Sequence, residues 1–64
     1  MIGKVRTYSK QKKYGFILGD DGKMYFFHES EIKIPSRNLS EGYDVEFNIL
    51  DGYPNPKAIN VRLL

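Results

Sequence analysis

The fold of this chain is decided by residues 14–28, which read YGFILGDDGKMYFFH. Two runs rich in aromatic and aliphatic residues, 14–18 and 25–28, flank an acidic turn, which is the pattern of a β-hairpin. A two-residue turn would mix aromatic and aliphatic side chains on both faces of this hairpin. A three-residue turn at 20–22 separates them cleanly and gives Gly22 the left-handed position that such turns need. We therefore predict the three-residue turn.

This turn determines which side chains lie side by side. It pairs Phe16 with Phe26 and Tyr14 with His28, and leaves the intervening residues on the opposite face. We refer to these four outward rings as the aromatic cluster (Tyr14, Phe16, Phe26 and His28). The predicted core face of the hairpin carries Ile17, Tyr25 and Phe27.

Alternation with a period of two predicts three further strands, at residues 2–9, 43–51 and 57–64. In the first of these strands, Lys4, Arg6 and Tyr8 are expected on the outer side. The predicted core residues of the other two are Val45, Phe47, Ile49, Ile59, Val61 and Leu63.

The connections have their own signals. Residues 29–32 suit a single helical turn that places Ile32 in the core, and 33–39 reads as a loop. Tyr53 lies in a proline-rich turn and is expected to be a turn residue. Gly15 interrupts a strand, which indicates a bend or a close approach of another segment.

Five short strands with no long helix, repeat or low-complexity tract predict an all-β fold. The economical architecture is a five-stranded antiparallel Greek-key barrel of the OB-fold type that occupies residues 1–64 as one domain. A peptide-binding barrel of similar size is the alternative.

Composition excludes several classes of protein. The 64 residues include no cysteine and one histidine, which argues against a disulfide framework and against a zinc or iron–sulfur site. No apolar run approaches the roughly 20 residues of a membrane span, and the N-terminal residues lack the apolar core of a signal peptide, so we expect a cytoplasmic protein. No nucleophile motif, phosphate-binding glycine loop or dinucleotide fingerprint occurs. We therefore expect no enzyme, catalytic residue, metal, cofactor or small-molecule substrate.

Charge is distributed unevenly along the chain. Up to Lys23, six basic residues oppose two acidic ones, whereas from Met24 onward four basic residues oppose six acidic ones, for a net charge of +2. Positive charge is thus concentrated where the aromatic cluster begins. Lysines beside exposed rings are typical of proteins that bind single-stranded nucleic acid.

The order of motifs resembles that of the cold-shock domain family over nearly the whole chain. Residues 12–17, KKYGFI, resemble the family's first ribonucleoprotein motif, Lys-Gly-Phe-Gly-Phe-Ile, and residues 25–28, YFFH, resemble its second, Val-Phe-Val-His. Residues 3–6, GKVR, match the opening Gly-x-Val-Lys. The stretch 39–49 resembles the fourth strand, and 56–61, PKAINV, matches the ending Pro-x-Ala-x-Asn-Val.

The resemblance implies an RNA chaperone or gene-expression regulator that binds single-stranded RNA or DNA. By position, it implies base stacking on Tyr8, Tyr14, Phe16, Phe26 and His28. It places Lys4, Arg6 and Lys12 near the phosphates, and Lys13 and Arg37 are candidates for further phosphate contacts. We expect a monomer, with a weak dimer through the aromatic patch as the alternative.

The chain departs from the family pattern on that same surface. Thr7 replaces a tryptophan, Lys13 replaces a glycine, Glu29 replaces a phenylalanine, and the shortened 33–39 loop lacks its usual aromatic residue. These changes predict weaker and more salt-dependent binding than the family typically shows. The alternative function is a protein-interaction β-barrel that has lost most nucleic-acid binding, as Thr7, Glu29 and the acidic strand around Glu46 suggest.

Overall fold

Five strands and one short 3₁₀ helix make up the part of the chain that the computed structural model describes, residues 1–33, 39–52 and 55–64. The strands are β1 (Ile2–Ser9), β2 (Tyr14–Gly19), β3 (Met24–His28), β4 (Asp44–Leu50) and β5 (Lys57–Leu63). The 3₁₀ helix spans Glu29–Glu31, so the predicted helical turn is confirmed. The predictions for Arg37 and Tyr53 lie outside the described residues.

The β2–β3 hairpin has the predicted register. Phe16 pairs with Phe26, and Tyr14 pairs with His28. The turn closes through hydrogen bonds from the N–H of Gly19 to the carbonyl of Lys23 (2.8 Å) and from the N–H of Gly22 to the carbonyl of Gly19 (3.0 Å). Gly22 has φ +82°, the left-handed conformation that this turn requires.

The strands close into a barrel in the order β1-β2-β3-β5-β4, with β4 returning to β1. The predicted five-stranded all-β barrel of the OB type is therefore confirmed. Strand directions in a closed ring of five cannot alternate at every junction, so one neighbouring pair must be parallel. That pair is β3–β5, which we call the seam, and its register consists of Phe26 beside Lys57 alone.

Among the residues that the structure describes, nine hydrophobic side chains are buried in the barrel core. They are Val5, Ile17, Tyr25, Phe27, Leu39, Val45, Phe47, Ala58 and Val61. Ile32 packs against this core, as predicted. Leu39, which the sequence placed in a loop, is fully buried and so adds to the core from outside the strands.

Gly15 lies where β1 passes close to β2 over the core. A Cβ atom on this residue would lie 2.9 Å from Cα of Tyr8 and 2.9 Å from Cζ of Phe27. Real side chains do not tolerate such distances, so only glycine fits without moving the backbone of β1. The predicted close approach is confirmed.

The prediction that Tyr8 lies on the outer face with Lys4 and Arg6 is wrong. The register of β1 against β2 shifts between Val5 and Thr7, which is a β-bulge at Arg6. One extra residue moves every later side chain of the strand to the other face. Thr7 therefore lies opposite Phe16, and Tyr8 turns inward.

Three core predictions at the ends of β4 and β5 are also wrong. Ile49 is 40% exposed and Leu63 is 38% exposed, while Ile59 is only half-buried. In β5, Asn60 has φ +54°, and β4 shifts register between residues 46 and 48, so the strict alternation breaks. Val61 is buried as predicted, and Ala58, three residues earlier, is buried in place of Ile59 and Leu63.

Candidate nucleic-acid interface

The aromatic cluster lies on the outer face of the β2–β3 hairpin, as predicted. The ring centroids of Tyr14 and Phe26 are 5.6 Å apart, and those of Phe16 and Phe26 are 5.8 Å apart with an edge-to-face angle of 71°. His28 is exposed, and the other three rings are half-buried. None of the four rings is buried in the barrel core.

The rings remain outside because the inner positions of the same strands are already occupied. Ile17 and Phe27 are 0% exposed and Tyr25 is 3% exposed. The hydroxyl of Tyr25 donates a hydrogen bond to Oδ2 of Asp21 at 2.6 Å, which ties the hairpin turn to the core. This bond raises the pKa of Tyr25 to about 12 and, together with the N–H of Lys23, lowers the pKa of Asp21.

His28 has a structural contact on one side of its ring. Its Nδ1 accepts a hydrogen bond from the backbone N–H of Ser30 (3.1 Å) and lies 3.0 Å from the Ser30 hydroxyl, so the ring caps the 3₁₀ helix. The cap holds the imidazole at the end of the row of rings. These contacts use Nδ1, and the His28 side chain is exposed to solvent.

Tyr8 lies next to the aromatic cluster, at the end of the barrel. Its ring packs on that of Phe27 with centroids 5.6 Å apart, and burial, followed by the negative charge of Glu29, raises its pKa. Tyr8 lines a cleft of about 540 Å³ together with Lys10, Lys13, His28, Glu29, Ser30 and Ile32. Sequence reasoning missed Lys10, Ser30 and Ile32 as neighbours of the site, because they meet only through the bulge and the 3₁₀ turn.

The basic connection between β1 and β2 is folded as a tight turn beside this cleft. The N–H of Lys12 donates to Oγ of Ser9 (3.1 Å), and the N–H of Lys13 donates to the Ser9 carbonyl (2.7 Å). The carbonyl of Lys13 in turn accepts from the N–H of Glu29 (2.8 Å). Lys13 has φ +67°, a conformation that favours glycine, which is the residue that the resembling motif has here. Lys10, Lys12 and Lys13 are all exposed.

The other predicted cations lie on β1. Nζ of Lys4 is 3.5 Å from Oδ1 of Asp44, and both side chains are more than half exposed. Such a surface ion pair contributes about 0–1 kcal/mol, so Lys4 can exchange this partner for a phosphate at little cost. Arg6 is exposed at the bulge.

The outer side of β4 has the opposite charge. Asp44 and Glu46 are exposed there, although Lys4 and Arg62 each pair with one of them; Nη2 of Arg62 is 3.3 Å from Oε1 of Glu46. Exposed basic side chains therefore lie on β1 and the 10–13 turn, and exposed acidic ones on the outer side of β4.

Within the described ranges, no three His, Cys, Asp or Glu side chains come together in a way that could hold a metal ion. The same residues include no helix with the length and apolar character needed to cross a membrane.

Comparison with known proteins identifies the family. Residues 1–64 match the family described as the "cold-shock" DNA-binding domain. This chain belongs to the cold-shock domain family. The resemblance drawn from its motifs is thereby confirmed, and the closed five-stranded barrel agrees with it.

Cold-shock-like proteins of several bacteria are similar over almost their entire length. The cold shock-like protein CspC of Bacillus cereus is 42% identical over 62 residues, which cover 95% of each chain. The cold shock-like protein of Thermotoga maritima is 40% identical over 65 residues, covering 100% of this chain and 98% of that one. The cold shock-like protein CspC of Escherichia coli K12 is 43% identical over 64 residues, which cover 97% of this chain and 93% of that one.

Proposed function

We propose that this cold-shock domain binds single-stranded RNA or DNA by stacking unpaired bases on the aromatic cluster. The observation that carries this proposal is the row of outward rings on β2 and β3 beside the exposed lysines of the 10–13 turn. Rings provide flat apolar surfaces for bases, and the ammonium groups neutralise the phosphates that connect them. The structure thus offers both groups that a polynucleotide requires.

Single strands are preferred over duplexes because stacking on a protein ring needs a base whose face is free. In a duplex both faces of each base are covered by the neighbouring pairs, so the aromatic cluster has nothing to contact. Stacking is also tolerant of sequence, since every base has a flat face. We therefore expect broad recognition with modest base preference.

Two features lower the expected affinity. Thr7 occupies the outer position opposite Phe16, where a ring would extend the platform, and the carboxylate of Glu29 lies in the cleft beside Tyr8. Each missing stack removes about 1–3 kcal/mol of binding free energy. A larger share of the remaining affinity comes from lysines, and each phosphate contact on a single strand contributes about 0.7 to the slope of log affinity against log salt.

In the cell, such binding suits an RNA chaperone or gene-expression regulator of the cytoplasm that keeps transcripts unpaired. It does so by binding unpaired segments more tightly than helices, without a cofactor or a catalytic step. The acidic outer face of β4 favours a second candidate, a protein-interaction barrel with little affinity for nucleic acid.

Fluorescence anisotropy of labelled oligothymidine and oligouridine at low and moderate salt separates the two candidates. Phe16→Ala and Phe26→Ala should each weaken binding by about 5- to 150-fold, the equivalent of one lost stack. Tyr43→Ala is the matched control, because Tyr43 is a 43% exposed ring outside the cluster, and it should change affinity by less than about twofold.

Circular dichroism of each variant checks that the barrel remains folded. If the parent protein shows no binding at low salt even at about 1 mM, where the binding free energy would be about −4 kcal/mol, the nucleic-acid proposal is wrong.

A further inference from the structure

A continuous row of outer side chains crosses the seam of the barrel. Phe16 pairs with Phe26, Phe26 with Lys57, and Lys57 with Leu50, so these four residues lie side by side on β2, β3, β5 and β4. Directly paired residues share a face of the sheet. At about 4.8 Å per strand, the row extends about 14 Å from Phe16 to Leu50. The outer face thus continues past the aromatic cluster.

A shallow groove lies along the second half of this row. It has a volume of about 210 Å³, and it is lined by two rings of the aromatic cluster, Phe26 and His28, together with Glu31, Leu50, Lys57, Ala58 and Ile59. The groove lies where β3 and β5 share a single register pair. Leu50 is 51% exposed, so its side chain is available to a ligand at this wall.

We propose that this seam groove is an additional nucleotide site, which takes the base that follows those on the aromatic cluster. This inference rests on the proposed function. The base would lie against Leu50, Ile59 and the edge of Phe26, and the adjoining phosphate would lie at Nζ of Lys57.

Charge complementarity favours a nucleotide as the occupant. Lys57 is an exposed cation in the middle of an otherwise apolar row, which matches the alternation of phosphate and base along a strand. At the far wall, Oε1 of Glu31 accepts a hydrogen bond from the N–H of Asn60 (3.3 Å). The negative charge of the Glu31 carboxylate repels a phosphate, so the phosphate would lie on the Lys57 side of the groove and the base against the apolar wall.

The test is the dependence of affinity on oligonucleotide length. Labelled oligothymidines of about 4 to about 10 nucleotides, within the site sizes of OB folds, are titrated with the parent, Leu50→Ala, Lys57→Gln and Phe16→Ala. Ile2→Ala is the matched control, because Ile2 is 47% exposed but lies on β1 opposite Glu46, away from the seam.

Leu50→Ala should weaken binding of the longest oligomers about fivefold and leave binding of the shortest unchanged. The fivefold change corresponds to the free energy gained when a base covers the exposed half of a leucine side chain. Lys57→Gln should lower the salt slope by about 0.7 for long oligomers only. Ile2→Ala should match the parent at all lengths.

Two results would overturn the inference while leaving the proposed function intact. In the first, Leu50→Ala and Lys57→Gln bind long oligomers as tightly as the parent does, while Phe16→Ala loses affinity. The other is an equal loss at every length, which would place Leu50 within the primary site. Failure of the parent to bind any oligomer would refute the proposed function itself, and with it the groove.

Discussion

Replacing Thr7 by tryptophan should strengthen binding by adding one platform to the aromatic cluster. Thr7 is exposed on β1 and lies directly opposite Phe16, at the Cβ separation of about 4.5–5.5 Å that paired residues have. An indole at this position can lie beside the Phe16 ring without entering the core. The chain would then gain the ring that its sequence lacks at this point.

The magnitude follows from the value of one stack. A base on an aromatic side chain contributes about 1–3 kcal/mol, so the dissociation constant of Thr7→Trp for oligothymidine should fall about 5- to 150-fold. The salt slope should stay the same, because no charge changes. Stability should be equal or slightly higher, since tryptophan favours strands and an aromatic pair with Phe16 adds about 0.5–1.5 kcal/mol at most.

Intrinsic fluorescence provides the assay. The chain contains no tryptophan, so the new indole is the sole reporter, and stacking of a base on it should quench its emission as oligothymidine is added. Ile2→Trp is the control, because it places an indole on the same strand at an exposed position opposite Glu46. If Thr7→Trp is folded but neither binds more tightly nor is quenched, the ligand does not lie on the outer face of β1–β3, and the proposed geometry is wrong.

Two further changes test the turns that support the site. The pKa of Asp21 is lowered from 3.8, so this residue stabilises the fold above pH 3.8 and loses that contribution as the pH falls through its folded pKa. The pKa of Tyr25 is raised from 10.0 to about 12, so this residue stabilises the fold below pH 10 and loses that contribution as the pH rises through about 12. Tyr25→Phe should flatten the pH dependence of the urea-unfolding free energy at both extremes, and an unchanged profile would contradict the Tyr25–Asp21 bond. Lys13→Gly should raise the unfolding free energy by about 0.5 kcal/mol, because relief of the left-handed strain of about 1–2 kcal/mol exceeds the extra freedom of glycine when unfolded. The same variant should lower the salt slope of oligonucleotide binding by about 0.7, and a destabilised protein would show that Lys13 is not strained.

The hairpin and the aromatic cluster could be predicted because short-range rules determine both. A three-residue turn with glycine at its left-handed position leaves one register, and the period of two then places Phe16 and Phe26 on the outer face. The closed barrel could also be predicted from the sequence, because five short strands with no long helix have few other ways to bury their apolar sides.

The parts that sequence reasoning missed depend on single-residue irregularities. The bulge at Arg6 exchanges the faces of Thr7 and Tyr8, and no local pattern reveals it, because threonine and tyrosine both suit either side of a strand. In β5, Asn60 is a weak sequence signal for an irregular strand, because asparagine tolerates the positive φ that it adopts there. The burial of Leu39 is a tertiary effect that no strand periodicity encodes, because this residue lies outside the strands.

The alternation of β2 and β3 has a consequence for how such a protein diversifies. Inward residues such as Phe27 hold the barrel together, while their outward neighbours such as Phe16 contribute far less to it. Selection can therefore change ligand preference at every second position with little penalty to folding. A lineage that replaces an outward ring with threonine or glutamate keeps its fold, and its affinity for ligands changes.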